Sequence, residues 1–299
     1  MRGHDRVALL LVALLWGGNF VASKAALSSF TVWELRSLAF GSAAVVLAAS
    51  AYATRASIVR LDVKNVAHLV VAGAFGIGGF GVFSALAMTH TSAGRTSIVV
   101  YTMPVWVVLL SWLVFRERPT RSRVLAVALA ALGLLILGWP VFSDGGGLGP
   151  AFALLSALSW AAGTMYVKRL GLDVAPVVST AIQLISATLL SLLGLALDPR
   201  DTPISISTGA LLGIAYNTVL GTIVAYLLWF SVLRRIPAAT ASLGTLLVPV
   251  FGIVIAGVVL AEVPSATDLI GLCLIGGAAA ATLVTAPGRG STRGHPRST

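Results

Sequence analysis

The chain has 299 residues, 58% of them hydrophobic and only 10% charged, and a formal net charge of +10. An ordinary soluble domain carries roughly 25% charged residues, so this composition excludes a water-soluble design and points to a chain dissolved in lipid. The basic residues lie between apolar runs instead of in one patch, which argues against nucleic acid, and the single cysteine, Cys273, leaves no disulfide, metal cluster or cofactor site in view.

Crossing about 30 Å of hydrocarbon takes around 20 apolar residues. Ten such runs follow one another, at 7–27, 32–51, 66–88, 93–115, 124–140, 148–168, 174–197, 206–233, 238–260 and 267–286. The first follows Arg2 and Arg6 in the manner of a signal peptide, but it carries a stretch that returns later and is expected to stay as a helix. Arg55, Arg60 and Lys64 follow the second run, and Arg116, Arg118, Arg121 and Arg123 the fourth. Lys168 with Arg169, Arg234 with Arg235, and Arg289, Arg293 and Arg297 follow the sixth, eighth and tenth. In a ten-span reading all of these fall on one side, which the positive-inside rule makes cytoplasmic, with both termini there. The expected location is the plasma (inner) membrane of a bacterium.

The chain also repeats itself. Leu15-Trp16-Gly17-Gly18-Asn19-Phe20-Val21-Ala22-Ser23-Lys24 returns 144 positions later as Ser159-Trp160-Ala161-Ala162-Gly163-Thr164-Met165-Tyr166-Val167-Lys168. Pro104, Glu117 and Pro119 return 145 positions later as Pro249, Glu262 and Pro264. Two matches at nearly one offset imply a duplicated unit. Five helices per unit is odd, so the second copy must enter the membrane from the opposite face. The expected fold is all-α and polytopic: a first five-helix repeat over 1–142, an inverted second over 143–286, and a basic, disordered cytoplasmic tail over 287–299. Inverted halves are a natural basis for alternating access.

The Trp16-Gly17-Gly18-Asn19-Phe20 stretch, Pro104, Arg116-Glu117-Arg118-Pro119, Pro249 and Glu262-Val263-Pro264 resemble the drug/metabolite transporter superfamily, in particular its EamA-type ten-helix exporters. The resemblance covers essentially 7–286 and is most like the aromatic amino-acid exporter branch. It implies a secondary transporter exporting small metabolites, amino acids including aromatic ones. A multidrug or other organic-metabolite exporter of the same fold is the alternative it implies. A membrane-embedded enzyme would need a nucleophile with its base, a metal cluster or paired carboxylates near the membrane centre; none is apparent. The second copy departs at Ala161, Ala162 and Gly163, so Asn19 has no counterpart there. The expected partners are a small-molecule substrate and the bilayer, with the oligomeric state open and a monomer compatible.

Candidate site residues follow from where polar and aromatic groups interrupt the apolar runs. Asn19 must face protein or a water-filled cavity, because an unpaired amide costs several kcal/mol in hydrocarbon. Gly209, Gly213, Asn217 and Gly221 recur every four residues as a packing stripe, with Tyr216, Thr222 and Tyr226 beside it and able to face a cavity. Pro104 and Pro249 are expected to kink their helices, and Tyr101 shares a face with Pro104. With Trp16, Phe20, Phe80, Phe83, Trp160 and Tyr166 these aromatic residues are expected to wall a substrate pocket, although aromatic side chains in membrane helices often only pack. Lys24, Glu34, Arg36 and Arg95 fall near the outer boundary, as an electrostatic vestibule or as a local Lys24–Glu34 ion pair.

Overall fold

A computed structural model of the chain describes residues 3–55, 62–91, 93–115, 147–198 and 205–260, together with parts of 124–136 and 270–277. Every regular element among the described residues is helical: α1 (Gly3–Ala26), α2 (Val32–Ala53), α3 (Val63–Ala72), π1 (Gly73–Gly79), α4 (Phe80–His90), α5 (Ala93–Val100) and α6 (Met103–Phe115). These are followed by α7 (Leu148–Leu170), α8 (Pro176–Leu197), α9 (Thr208–Tyr216), π2 (Asn217–Val224), α10 (Ala225–Arg235), α11 (Ala238–Gly244) and α12 (Leu247–Leu260). They make eight continuous stretches long and apolar enough to cross a membrane. The fifth apolar run is described in part, and the tenth lies largely outside the described residues, as do the Glu117 and Glu262 motifs, the 142/143 boundary and the basic tail.

Why these stretches lie in lipid is visible in what they expose. Leu10, Leu14, Val45, Leu113, Leu193 and Val258 all point outward, so large apolar side chains cover the exterior as well as fill the interior. A helix that is hydrophobic all round is stable only where its surroundings are hydrophobic too. Inside, small residues let backbones approach closely. At Gly17 an added Cβ would meet Phe251 and the Gly252 backbone, and at Gly163 it would overlap the backbone of Gly76.

The element pattern recurs along the chain. Adding 144 to the starts of α1 and α2 lands within one residue of Leu148 and on Pro176. Adding 145 to the first and last residues of the α3–π1–α4 stretch gives 208 and 235, the bounds of α9–π2–α10. Both of these stretches widen into a π-helix at the same place. The break at Tyr101–Thr102 between α5 and α6 likewise answers the one at Thr245–Leu246 between α11 and α12.

The two repeated lysines share one task. Lys24 Nζ donates to the carbonyls of Met88 (2.6 Å) and Thr91 (3.3 Å), at the end of α4. Lys168 Nζ donates to the carbonyls of Leu233 (2.7 Å) and Ile236 (2.9 Å), at the end of α10. Each charge sits where unsatisfied carbonyls and the negative end of a helix dipole coincide. Glu34 completes a capping box at the start of α2: its Oε2 accepts from the Thr31 N–H while Thr31 Oγ1 accepts from the Glu34 N–H. At the opposite end of the bundle, Arg235 Nε donates to the buried Asp5 carboxylate at 2.7 Å, tying the end of α10 to the start of α1.

The prolines require a correction. Pro104 and Pro249 do not kink a helix from within; each stands in the first turn of a new one, α6 or α12. The chain breaks just before them, at Tyr101–Thr102 and Thr245–Leu246. In a first turn the missing N–H has no carbonyl to lose, so proline starts these helices at little cost.

Candidate substrate cavity

Helix α1 lies against α9, π2, α10 and α12, while α7 lies against π1, α4, α5 and α6. The leading helix of each series therefore packs on the later helices of the other, and the cavity forms where these contacts meet. Its lining comes from Trp16, Asn19, Phe20 and Ser23 of α1, Arg36 and Phe40 of α2, Phe80, Gly81, Ser84 and Met88 of α4, Tyr101 after α5, and Gly221, Thr222 and Tyr226 of π2 and α10. It is narrow: about 20 Å³ is open to the centre of a water molecule, room for roughly one water. Admitting an organic solute requires the helices around it to part.

One wall is aromatic. The Trp16 ring meets Trp160 edge-on at 5.2 Å between centroids and Tyr226 at 5.8 Å. Trp160 packs in turn on Phe80 (5.0 Å), Trp229 (5.6 Å) and, stacked, on Tyr226 (5.9 Å). Phe20 and Tyr101 face each other edge-on at 5.8 Å. Such pairs contribute about 0.5–1.5 kcal/mol each beyond their buried area. Trp160 does not line the cavity; it backs the rings that do.

The polar wall is built on π2. A π turn has one residue more than an α turn and offsets its carbonyls from the normal ladder. Gly221 O accepts a hydrogen bond from Trp16 Nε1 at 3.1 Å. Asn217 Nδ2 donates to Asn19 Oδ1 at 2.9 Å and to Ser23 Oγ at 2.7 Å, so the mid-helix amide of Asn19 is answered from the other series. Gly221 gives Asn19 its room, since any Cβ there would strike the amide. At the equivalent contact Gly163 and Gly76 meet backbone to backbone, which explains why the second copy carries no asparagine. The Trp160 and Trp229 indole N–H groups are buried with no hydrogen-bond partner, unlike that of Trp16.

Of the residues singled out from sequence, Trp16, Asn19, Phe20, Phe80, Tyr101, Thr222 and Tyr226 come together around the cavity, with Trp160 directly behind, while Tyr166 lies outside it with its hydroxyl 2.7 Å from His68 Nδ1. Tyr216 lies elsewhere, its hydroxyl donating to Leu15 O at 3.1 Å along the flank of α1. Phe83 turns away to stack on Phe152. Lys24 and Glu34 do not line the cavity. Gly213 and Gly221 of the small-residue stripe pack against α1, but Gly209 meets only Ser207 Oγ, at 3.9 Å from an added Cβ. Sequence reasoning placed Arg36 at the outer boundary. It is instead 4% exposed and lines the cavity. Ser84 was missed as a lining residue, because a small hydroxyl side chain in an apolar run carries no periodic signal.

Among the described residues, eight membrane-length helices around an aromatic and polar cavity define a multi-pass membrane protein with the build of a solute carrier. The comparisons agree. Residues 7–139 and again 147–284 match the EamA-like transporter family, and the chain belongs to that family. It is 28% identical over 292 residues to a protein of Salmonella typhimurium named a probable amino-acid metabolite efflux pump, spanning 92% of this chain and 93% of that one. An Escherichia coli protein with the same name is 27% identical over 298 residues, with the same coverage of 92% and 93%. An uncharacterized transporter of Archaeoglobus fulgidus is 27% identical over 258 residues, or 86% of this chain and 90% of its own. A solved crystal structure superimposes with a TM-score of 0.77 at 21% identity, over 95% of this chain and 98% of that one, and shares the fold.

Proposed function

We propose that this EamA-family transporter exports small metabolites, amino acids including aromatic ones, from a bacterial cytoplasm by alternating access. It has ten membrane helices in two inverted five-helix repeats, with both termini inside. The observation that carries this reading is a cavity whose walls come from both series of helices, aromatic on one side and hydrogen-bonding on the other. An aromatic amino acid presents the complementary surfaces, a flat apolar ring and a polar zwitterion. Support for the repeat comes from the recurring element bounds and from the two separate family matches. The amino-acid assignment draws on the names of the two efflux-pump relatives. Support for the orientation is the basic residues at one end of the spans.

In this reading, two inverted series packed on each other open the cavity to opposite faces in turn. The Asp5–Arg235 ion pair closes one end and must part when that end opens. The testing experiment loads proteoliposomes holding the purified protein with labelled phenylalanine and follows its efflux. Saturable efflux, accelerated by unlabelled phenylalanine outside, is the expected result. Efflux no faster than from protein-free liposomes overturns the reading.

A further inference from the structure

We propose that Arg36 is the carboxylate-binding group of the central cavity, and that the solute carried there is a small organic carboxylate and not an amine. The inference rests on the cavity being the transport site. Arg36 belongs to α2, and its side chain is buried against α4, where Nε donates to Gly81 O at 2.8 Å and Nη2 to Ser84 Oγ at 3.2 Å. The Phe40 ring lies 5.7 Å from the guanidinium carbon. Every one of these partners is neutral. A guanidinium offers five N–H donors in a rigid fork. Two are used to fix its orientation, and Nη1 has no hydrogen-bond partner in the protein. A buried cation without an anion is costly, and such groups inside membrane helices mark solute or ion pathways.

The rest of the lining fits the same ligand. Asn19, Ser23, Thr222, Tyr101 and Tyr226 supply amide and hydroxyl groups, and no Asp or Glu is among the lining residues. An ammonium ion alone would meet a like charge with no counter-charge. A carboxylate would neutralise Arg36 through two parallel hydrogen bonds.

The repeat separates this arginine from the structural cations. Lys24 and Lys168 recur and cap equivalent helix ends. The residue 144 positions beyond Arg36 is Thr180, whose hydroxyl donates to its own helix at Pro176 O. The charge has no counterpart in the second copy, and it stands in a cavity lined from both series, as a ligand-binding group would and a scaffold element would not.

The test uses proteoliposomes carrying labelled phenylalanine, with two competitors that share its ring: 3-phenylpropionate, which lacks the ammonium, and phenethylamine, which lacks the carboxylate. In the wild type 3-phenylpropionate should compete and phenethylamine should not. Arg36→Gln, at matched membrane abundance, should lower kcat/KM for phenylalanine on the order of 100-fold. Arg36→Lys, which keeps the charge without the fork, should fall between. Equal competition by the two analogues in the wild type overturns the proposal without any variant, and so does full phenylalanine transport by Arg36→Gln. Absence of phenylalanine transport by the wild type is a different failure, that of the exporter reading, and removes this inference with it.

Discussion

Gly163→Val should cost about 3 kcal/mol or more of stability and strip much of the folded protein from the membrane. The residue sits in α7, where its Cα faces Gly76 in π1 with no side chain between them. An added Cβ would fall inside the Gly76 backbone, with Ala72 O 3.5 Å away, and backbone cannot swing aside as a flexible side chain can. Parting α7 from π1 would also loosen the Ser159 Oγ bond to Phe75 O and the Ser156 Oγ bond to Phe80 O. The control is Gly209→Ala, whose new methyl group meets only Ser207 Oγ, at an ordinary contact distance of 3.9 Å, and should change stability by less than about 0.5 kcal/mol. Thermal unfolding of both variants in detergent decides the matter. Equal melting temperatures for Gly163→Val and wild type would mean that the close approach of α7 and π1 does not exist.

Tyr101→Ala should lower kcat/KM for phenylalanine about tenfold while leaving alanine within about twofold, a difference of the size one lost ring contact supports. Tyr101 lines the cavity itself and faces Phe20. Asn19→Ala should weaken transport of both amino acids alike, because both share the zwitterion. That change also removes the acceptor of Asn217 Nδ2, whose own Oδ1 is already buried without a partner. Trp160→Ala should reach the solute indirectly. It takes the support from Trp16, Tyr226 and Phe80, and truncating a buried tryptophan costs about 3–5 kcal/mol of stability. The comparison is transport of phenylalanine and alanine by each variant at matched membrane abundance. Wild-type rates for both solutes in all three variants would reduce these side chains to packing.

Much of the described fold was legible in the sequence because lipid imposes a simple rule: a run of apolar residues long enough to span becomes a helix. The run at 148–168 corresponds to α7, and that at 206–233 to α9–π2–α10. The π segments were not legible, since a wider turn changes neither composition nor hydropathy. The cavity was partly legible. Asn19 and Trp16 stood out because a polar group in hydrocarbon demands a partner. Phe83 misled because aromatic residues pack as readily outside a site as within it, and here Phe152 received it. Arg36 misled in the other direction. Its place one turn into α2 implied the membrane surface, but burial follows from what packs over a residue, and α4 covers it. Lys24 was read as a vestibule charge or ion-pair partner and Lys168 as a cytoplasmic positive charge, because capping of a helix end by a residue 64 or 65 positions away leaves no local signature.

The central claim is that the cavity opens to each face of the membrane in turn. Ser84 lines it and is almost fully buried, so a thiol placed there can react only when the cavity opens. Ser84→Cys in a background where the exposed Cys273 is replaced by serine should be labelled by a membrane-impermeant thiol reagent in right-side-out and in inside-out vesicles, and phenylalanine should slow labelling in both. Labelling from one face only, however long the exposure, would contradict alternating access at this cavity.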